Sequence, residues 1–374
     1  MLVHTPARLS KPVALSGFLL ALILAGAALP QDIPTGKVIK ETVHSAALER
    51  NLLGDSPERS VTIYLPPGYQ TGTSHYPVVY LLHGFSQTNK SWTEDPDRVN
   101  VPKIMDRLIA SGKSRELIVV MPDGSNKLGG AFYTDSVTTG NWEAFVTREL
   151  VNYVDGWYRT VPSAGGRGIA GHSMGGYGAI KLAMKHPEIY GAAYALSACC
   201  LAWEDGWTAA SPVWDKTLSF KSTGDLAEVQ KFIESGESKD PKWIEAFRSL
   251  GLVALSAAWS PNPGHPPFFV DFPVERRNGA RVTVETAQAE WSANLPLAML
   301  GQYRSNLAEL RGIAFDIGRQ DWNPSLVTMA EDLDRALTRS AILHEFAEFD
   351  GNHSDKLAER IETKAMPFFS RVLE

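Results

Sequence analysis

From residue 59 onward, short apolar runs alternate with segments of helical periodicity along most of the chain. Residues 60–65 (SVTIYL) alternate in polarity and stop at Pro66-Pro67-Gly68, a turn signal that closes a strand. Residues 76–82 (YPVVYLL) and 117–121 (LIVVM) are continuous apolar runs, as expected of strands buried on both faces of a mainly parallel sheet. Over 142–158 the apolar positions Val146, Leu150, Val154 and Trp157 recur at helical spacing. Residues 168–170 lead into a helix over 177–186 that Pro187 stops, and 192–196 reads as another buried strand.

Beyond residue 201 this rhythm breaks. The stretch 201–300 carries six of the ten tryptophans (Trp203, Trp207, Trp214, Trp243, Trp259 and Trp291) and the proline-rich string 261–267. It is too long for a plain loop and is expected to hold its own helices. The regular pattern returns with a strand at 313–317 and a helix over 325–339 that aligns Leu326, Met329, Leu333 and Leu337. A strand over 341–349 and a final helix after Ser354 complete the pattern. Alternating strands and helices predict an α/β sandwich with a mainly parallel sheet, with 201–300 as a Trp-rich helical lid.

The pattern also places a chemical motif. Gly171-His172-Ser173-Met174-Gly175 reads G-x-S-x-G between an apolar run and a helix, the context of a nucleophile elbow. Such a turn exposes the serine hydroxyl, and glycines at 171 and 175 leave room for so sharp a bend. A serine hydroxyl needs a base to take its proton, and the base needs a third group to fix its tautomer. With an elbow, these follow in the order serine, acid, histidine. His353 follows the last expected strand and fits the base. His172 contributes its backbone position within the elbow, His83 opens a His-Gly turn, and His344 falls within the expected 341–349 strand. His4 lies in the leader, and His44, His75, His186 and His265 lack the required context. Asp321, beyond the glycine turn of the preceding strand, is preferred as the acid over Asp316, which is still inside that strand. Glu331, Asp332 and Asp334 read as a solvated helix face. Two backbone amides are expected to hold an oxyanion, Met174 after the nucleophile and Phe85 in the turn His83-Gly84-Phe85.

Composition narrows the class. The chain has 374 residues, 44% of them hydrophobic and 21% charged. Residues 1–29 read as a signal peptide: Arg8 and Lys11 precede an apolar run over 13–24, then small residues at 25–28. That run is shorter than a spanning helix needs, so no stable membrane span is expected after its removal, and the protein is expected to be secreted or periplasmic. The net charge of -6 becomes -8 without the leader, 34 basic against 42 acidic residues. That balance gives no electrostatic reason to bind nucleic acid. The two cysteines, Cys199 and Cys200, are adjacent, so a disulfide framework is excluded; buried thiols are favoured over a strained vicinal bridge. No metal motif occurs.

Tyr64-Leu65-Pro66-Pro67-Gly68-Tyr69, Leu81-Leu82-His83-Gly84, Met121-Pro122-Asp123-Gly124, Gly171 to Gly178 and Gly351-Asn352-His353 occur in this order. Together they resemble the putative-esterase (esterase D-like) branch of the α/β-hydrolases. That branch includes feruloyl and acetyl xylan esterases, S-formylglutathione hydrolases, enterochelin esterases and mycolyltransferases. The resemblance covers residues 59–197 and 313–353. It implies an α/β-hydrolase domain over 30–374, a Ser173, Asp321, His353 triad, and no metal or organic cofactor; the 201–300 lid insertion departs from the compact members and is where substrate choice is expected. The expected activity is serine esterase, on a small-molecule or carbohydrate ester. The lid tryptophans are candidates for stacking on a cinnamoyl group or sugar, or for packing the lid's own core. The alternatives are an acyltransferase with an alcohol acceptor and a non-catalytic carbohydrate-binding homologue.

Overall fold

The computed structural model describes residues 1–4, 33–94, 99–235 and 240–374. Apart from residues 1–4, the expected leader lies outside the described residues. The principal strands are β1 (Lys37–His44), β2 (Glu58–Leu65), β3 (Val78–Leu82), β4 (Ile118–Pro122), β5 (Arg167–His172), β6 (Ala192–Leu196), β7 (Gly312–Gly318) and β8 (Glu345–Phe349). They form one sheet in the order β1-β2-β4-β3-β5-β6-β7-β8. The pairings β1–β2 and β2–β4 are antiparallel, and all later ones are parallel.

Central strands are apolar on both sides because helices cover both faces. In β3, Val78, Tyr80 and Leu82 join one core cluster while Val79 and Leu81 join another. In β4, Ile118 and Val120 divide in the same way from Val119 and Met121. The helix Pro324–Arg339 buries Leu326, Met329, Leu333 and Leu337, the stripe its spacing predicts.

Three local expectations are corrected. The last strand begins at Glu345 rather than at 341, because the preceding helix ends in a turn in which Ala341 takes φ 56°. His344 therefore precedes the strand, its Nε2 2.9 Å from Asp334. Helical structure does run from Trp142 to Trp157, through a π turn at Phe145–Glu149. Trp157, however, is 75% exposed at its end; periodicity gives a stripe but not where the core beneath it stops.

Between β6 and β7 lie the helices Val213–Thr217, Thr223–Ser235, Pro241–Trp259 and Glu285–Ser292, with a hairpin of Val274–Arg277 and Ala280–Thr283. Trp203, Trp207, Trp214, Trp259 and Trp291 pack on one another, with neighbouring rings 5.3–6.4 Å apart. Trp207, Trp214, Trp259 and Trp291 belong to the same core cluster as Val78, Tyr80 and Leu82 of β3, so the segment's core is continuous with that on one face of the sheet. The buried Lys181 ties the segment to the helix Met174–Lys185: its Nζ donates to Asn294 Oδ1 at 2.9 Å and to Thr134 Oγ1 at 2.8 Å. Burial pushes this ammonium down to about 7.

Candidate active site

Strand β5 ends at His172 and the helix Met174–Lys185 starts two residues later, so Ser173 must turn the chain alone. It does so at φ 56°, ψ -115°, a backbone conformation that L-residues rarely adopt and that functional sites over-represent. Two glycines make the turn possible. A Cβ on Gly171 would stand 2.3 Å from the Gly175 carbonyl carbon, and one on Gly175 would stand 2.2 Å from the Leu82 carbonyl oxygen. The Ser173 amide donates to Leu196 O at 3.0 Å, anchoring the turn between neighbouring strand ends.

The ends of β7 and β8 bring the next two groups together. Arg319 N–H donates to Phe349 O at 2.9 Å and Gln320 N–H to Gly351 O at 3.0 Å. Asn352 Oδ1 accepts from both Trp322 N–H (2.8 Å) and His353 N–H (2.7 Å). Stitched in this way, the two loops set His353 Nδ1 2.7 Å from Asp321 Oδ2. The Asp321 side chain is fully buried, and its second oxygen accepts from Asn323 N–H at 3.0 Å. A carboxylate so placed fixes the proton on Nδ1 and leaves the Nε2 lone pair available. Nε2 has no hydrogen-bond partner among the described residues, and the ring lines the same cleft as Ser173.

Asp316, the disfavoured acid, is engaged elsewhere. It pairs with buried Arg360 and accepts from Tyr194 O–H at 3.1 Å, beneath the sheet's end rather than in the cleft. Phe85 and Met174, the expected oxyanion donors, both have amides with no acceptor among the described residues. Met174 N–H is free because it opens a helix, whose first turn has no internal acceptors. The Phe85 turn is held by His83: its buried ring accepts from Gly124 N–H at 2.7 Å through Nε2 and donates through Nδ1 to Gly84 O at 2.8 Å. Tyr133 O–H adds a bond to His83 O at 3.0 Å.

The cleft measures about 110 Å³. One wall is apolar, built from Phe85, Phe132, Trp207, Phe247, Leu252 and Leu255; Glu204, Arg248 and Asn323 form a polar part. Burial pushes the Glu204 carboxyl above its usual range, against the pull of Arg248 and Asn323. The Arg248 guanidinium lies 5.4 Å from the centre of the Trp322 ring. Sequence spacing did not single out Phe247, Arg248 or Trp322, and it gave Asn352 no role beyond its place in Gly351-Asn352-His353. The first two belong to the segment without strand–helix rhythm, and Trp322 follows Asp321 without a motif of its own. Among the described residues, no cluster of three or more His, Cys, Asp or Glu is arranged to hold a metal ion, and no helix is long and apolar enough to cross a membrane.

A family model described as Putative esterase matches residues 56–356. An esterase of Mycobacterium tuberculosis is 27% identical over 242 residues, covering 55% of this chain and 50% of that protein. This chain thus spans about half the length of that curated relative. An endo-1,4-beta-xylanase/feruloyl esterase of Xylanibacter ruminicola is 34% identical over 140 residues, 36% of this chain and 18% of that protein. Among solved structures, a ferulic acid esterase superposes with a TM-score of 0.57 at 21% identity, covering 91% of this chain and 99% of its own. That likeness shows the fold, that of the α/β-hydrolases.

Proposed function

Because the chain belongs to the Putative esterase family, we propose that it hydrolyses carboxylic esters through an acyl-enzyme on Ser173. His353 Nε2 takes the Ser173 proton as the hydroxyl oxygen attacks the ester carbonyl, and Asp321 stabilises the imidazolium. The Phe85 and Met174 amides hold the tetrahedral oxyanion. His353 then protonates the departing alcohol, and water, activated by the same base, releases the acid.

One observation carries this reading. Ser173, in its strained turn, lines the same cleft as His353, whose Nδ1 is tied to a buried carboxylate. The apolar wall suits an acyl group with an aromatic or alkyl body. The polar part around Glu204, Arg248 and Asn323 suits a hydroxyl-bearing partner. With the feruloyl esterase relative, this favours cinnamoyl or acetyl esters of carbohydrates as substrates. We read 201–300 as the lid that selects them, and residues 1–29 as a leader that sends the protein to the periplasm or medium.

Hydrolysis of short nitrophenyl esters, methyl ferulate and an acetylated sugar by the mature chain tests the proposal. Turnover of at least one supports an esterase, and the preferred ester identifies the acyl class. No turnover of any ester, with transfer to added glycerol from an activated acyl donor, would replace it with an acyltransferase.

A further inference from the structure

Beside Ser173 the cleft wall contains two sulfurs that the proposed reaction does not use. Cys199 and Cys200 follow β6, both line the cleft, and their Sγ atoms are 2.8 Å apart. Both are free thiols in this structure, Cys199 partly exposed and Cys200 buried. A disulfide bond is about 2.05 Å long, so closure asks the sulfurs to approach by roughly 0.75 Å. The loop connects directly to the nucleophile, because Cys199 N–H donates to the Ser173 carbonyl at 3.3 Å.

We propose that Cys199 and Cys200 form a redox-active dithiol in the cleft wall, which small disulfides oxidise to a vicinal disulfide. The accessible Cys199 sulfur attacks one sulfur of the small disulfide. The S–S bond breaks, one thiolate leaves, and a mixed disulfide forms on Cys199. The Cys200 sulfur then attacks Cys199 Sγ, losing its proton to solvent and expelling the second thiolate. The pair loses two electrons and two protons, and the small disulfide gains the two electrons as it becomes two thiols. Burial pushes the Cys200 thiol up, which makes Cys199 the first to react.

Adjacency decides what kind of bond results. Neighbouring Cα atoms lie about 3.8 Å apart across a trans peptide, below the roughly 4.4 Å at which ordinary disulfides begin. The closed ring is strained, and strained disulfides are the readily reduced ones. The pair is therefore a reversible modification site rather than a staple. Closing it pulls on the Cys199 amide, which holds the nucleophile's carbonyl, and changes the cleft surface beside Ser173.

The test uses the full chain and an aromatic disulfide reagent, 5,5′-dithiobis(2-nitrobenzoate). The proposal expects two aromatic thiolates released per chain, an intact mass lower by two hydrogen atoms, no retained adduct, and reversal by dithiothreitol. Aromatic adducts retained on one or both cysteines would overturn it, as would no reaction in the folded chain. Cys200→Ala should release one thiolate and keep one adduct. Ester turnover, the arm that rests on the esterase reading, should fall about tenfold on closure and recover on reduction. The Cys199→Ala/Cys200→Ala double variant should lose no turnover with the reagent; an equal loss there would overturn the link to the cleft. Thiolate release and mass do not depend on activity, so failure of the dithiol and failure of the esterase reading are distinguishable.

Discussion

His172 supports the backbone of His353. Its Nε2–H donates to the His353 carbonyl at 3.1 Å, and the two rings lie 4.8 Å apart. Burial, helped by His353 and Arg360, holds the His172 imidazole well below its usual range, so it stays a neutral donor. The residue before the candidate nucleophile thereby positions the candidate base. His172→Ala should lower kcat about tenfold with KM little changed. An unchanged kcat would show that the contact only fills space.

Asp321→Asn keeps the size of the side chain but removes the charge that fixes the His353 tautomer. The expected loss is about 10⁴-fold in kcat, without loss of fold. Steady-state kinetics beside a far-ultraviolet spectrum check both halves. A loss below tenfold would return Asp316 to consideration.

Arg360 and Asp316 form a buried ion pair, completed by Tyr194 and Ser197. Removing one partner leaves a buried charge, so Arg360→Met should destabilise the fold by roughly 3–5 kcal/mol. Denaturant unfolding reads this directly. Remaining native protein should retain ester turnover, because Asp316 stands outside the cleft.

Acid stability should depend on Glu143. Burial alone would raise its carboxyl, but hydrogen bonds from His186 and Lys185 bring it down to about 2 from the usual 4.5. The folded value is the lower one, so the contribution is complete above pH 4.5 and is lost as pH falls toward 2. It amounts to about 3 kcal/mol. Glu143→Gln should flatten the fall in melting temperature between these pH values.

The sequence showed most of the sheet because burial on both faces leaves an unbroken apolar run, as in β3 and β4. It led to Ser173 because the elbow needs glycine at fixed positions, and to His353 and Asp321 because both follow strand ends. It did not reveal the work of the His172 side chain, which depends on a contact 181 residues away. Nor did it show the cleft wall. Phe247 and Arg248 face Ser173 only through the path of the helix Pro241–Trp259, and no local pattern encodes that path. Six tryptophans in one segment pointed to a core more than to a ligand; five of them pack ring to ring, and of these Trp207 also lines the cleft.

Ser173 as the nucleophile stands or falls on hydrolysis of 4-nitrophenyl acetate by the mature chain beside Ser173→Ala. The mature chain should turn the ester over and Ser173→Ala should be slower by about 10⁴-fold or more, with both proteins melting at similar temperatures. Equal rates in the two proteins would contradict it.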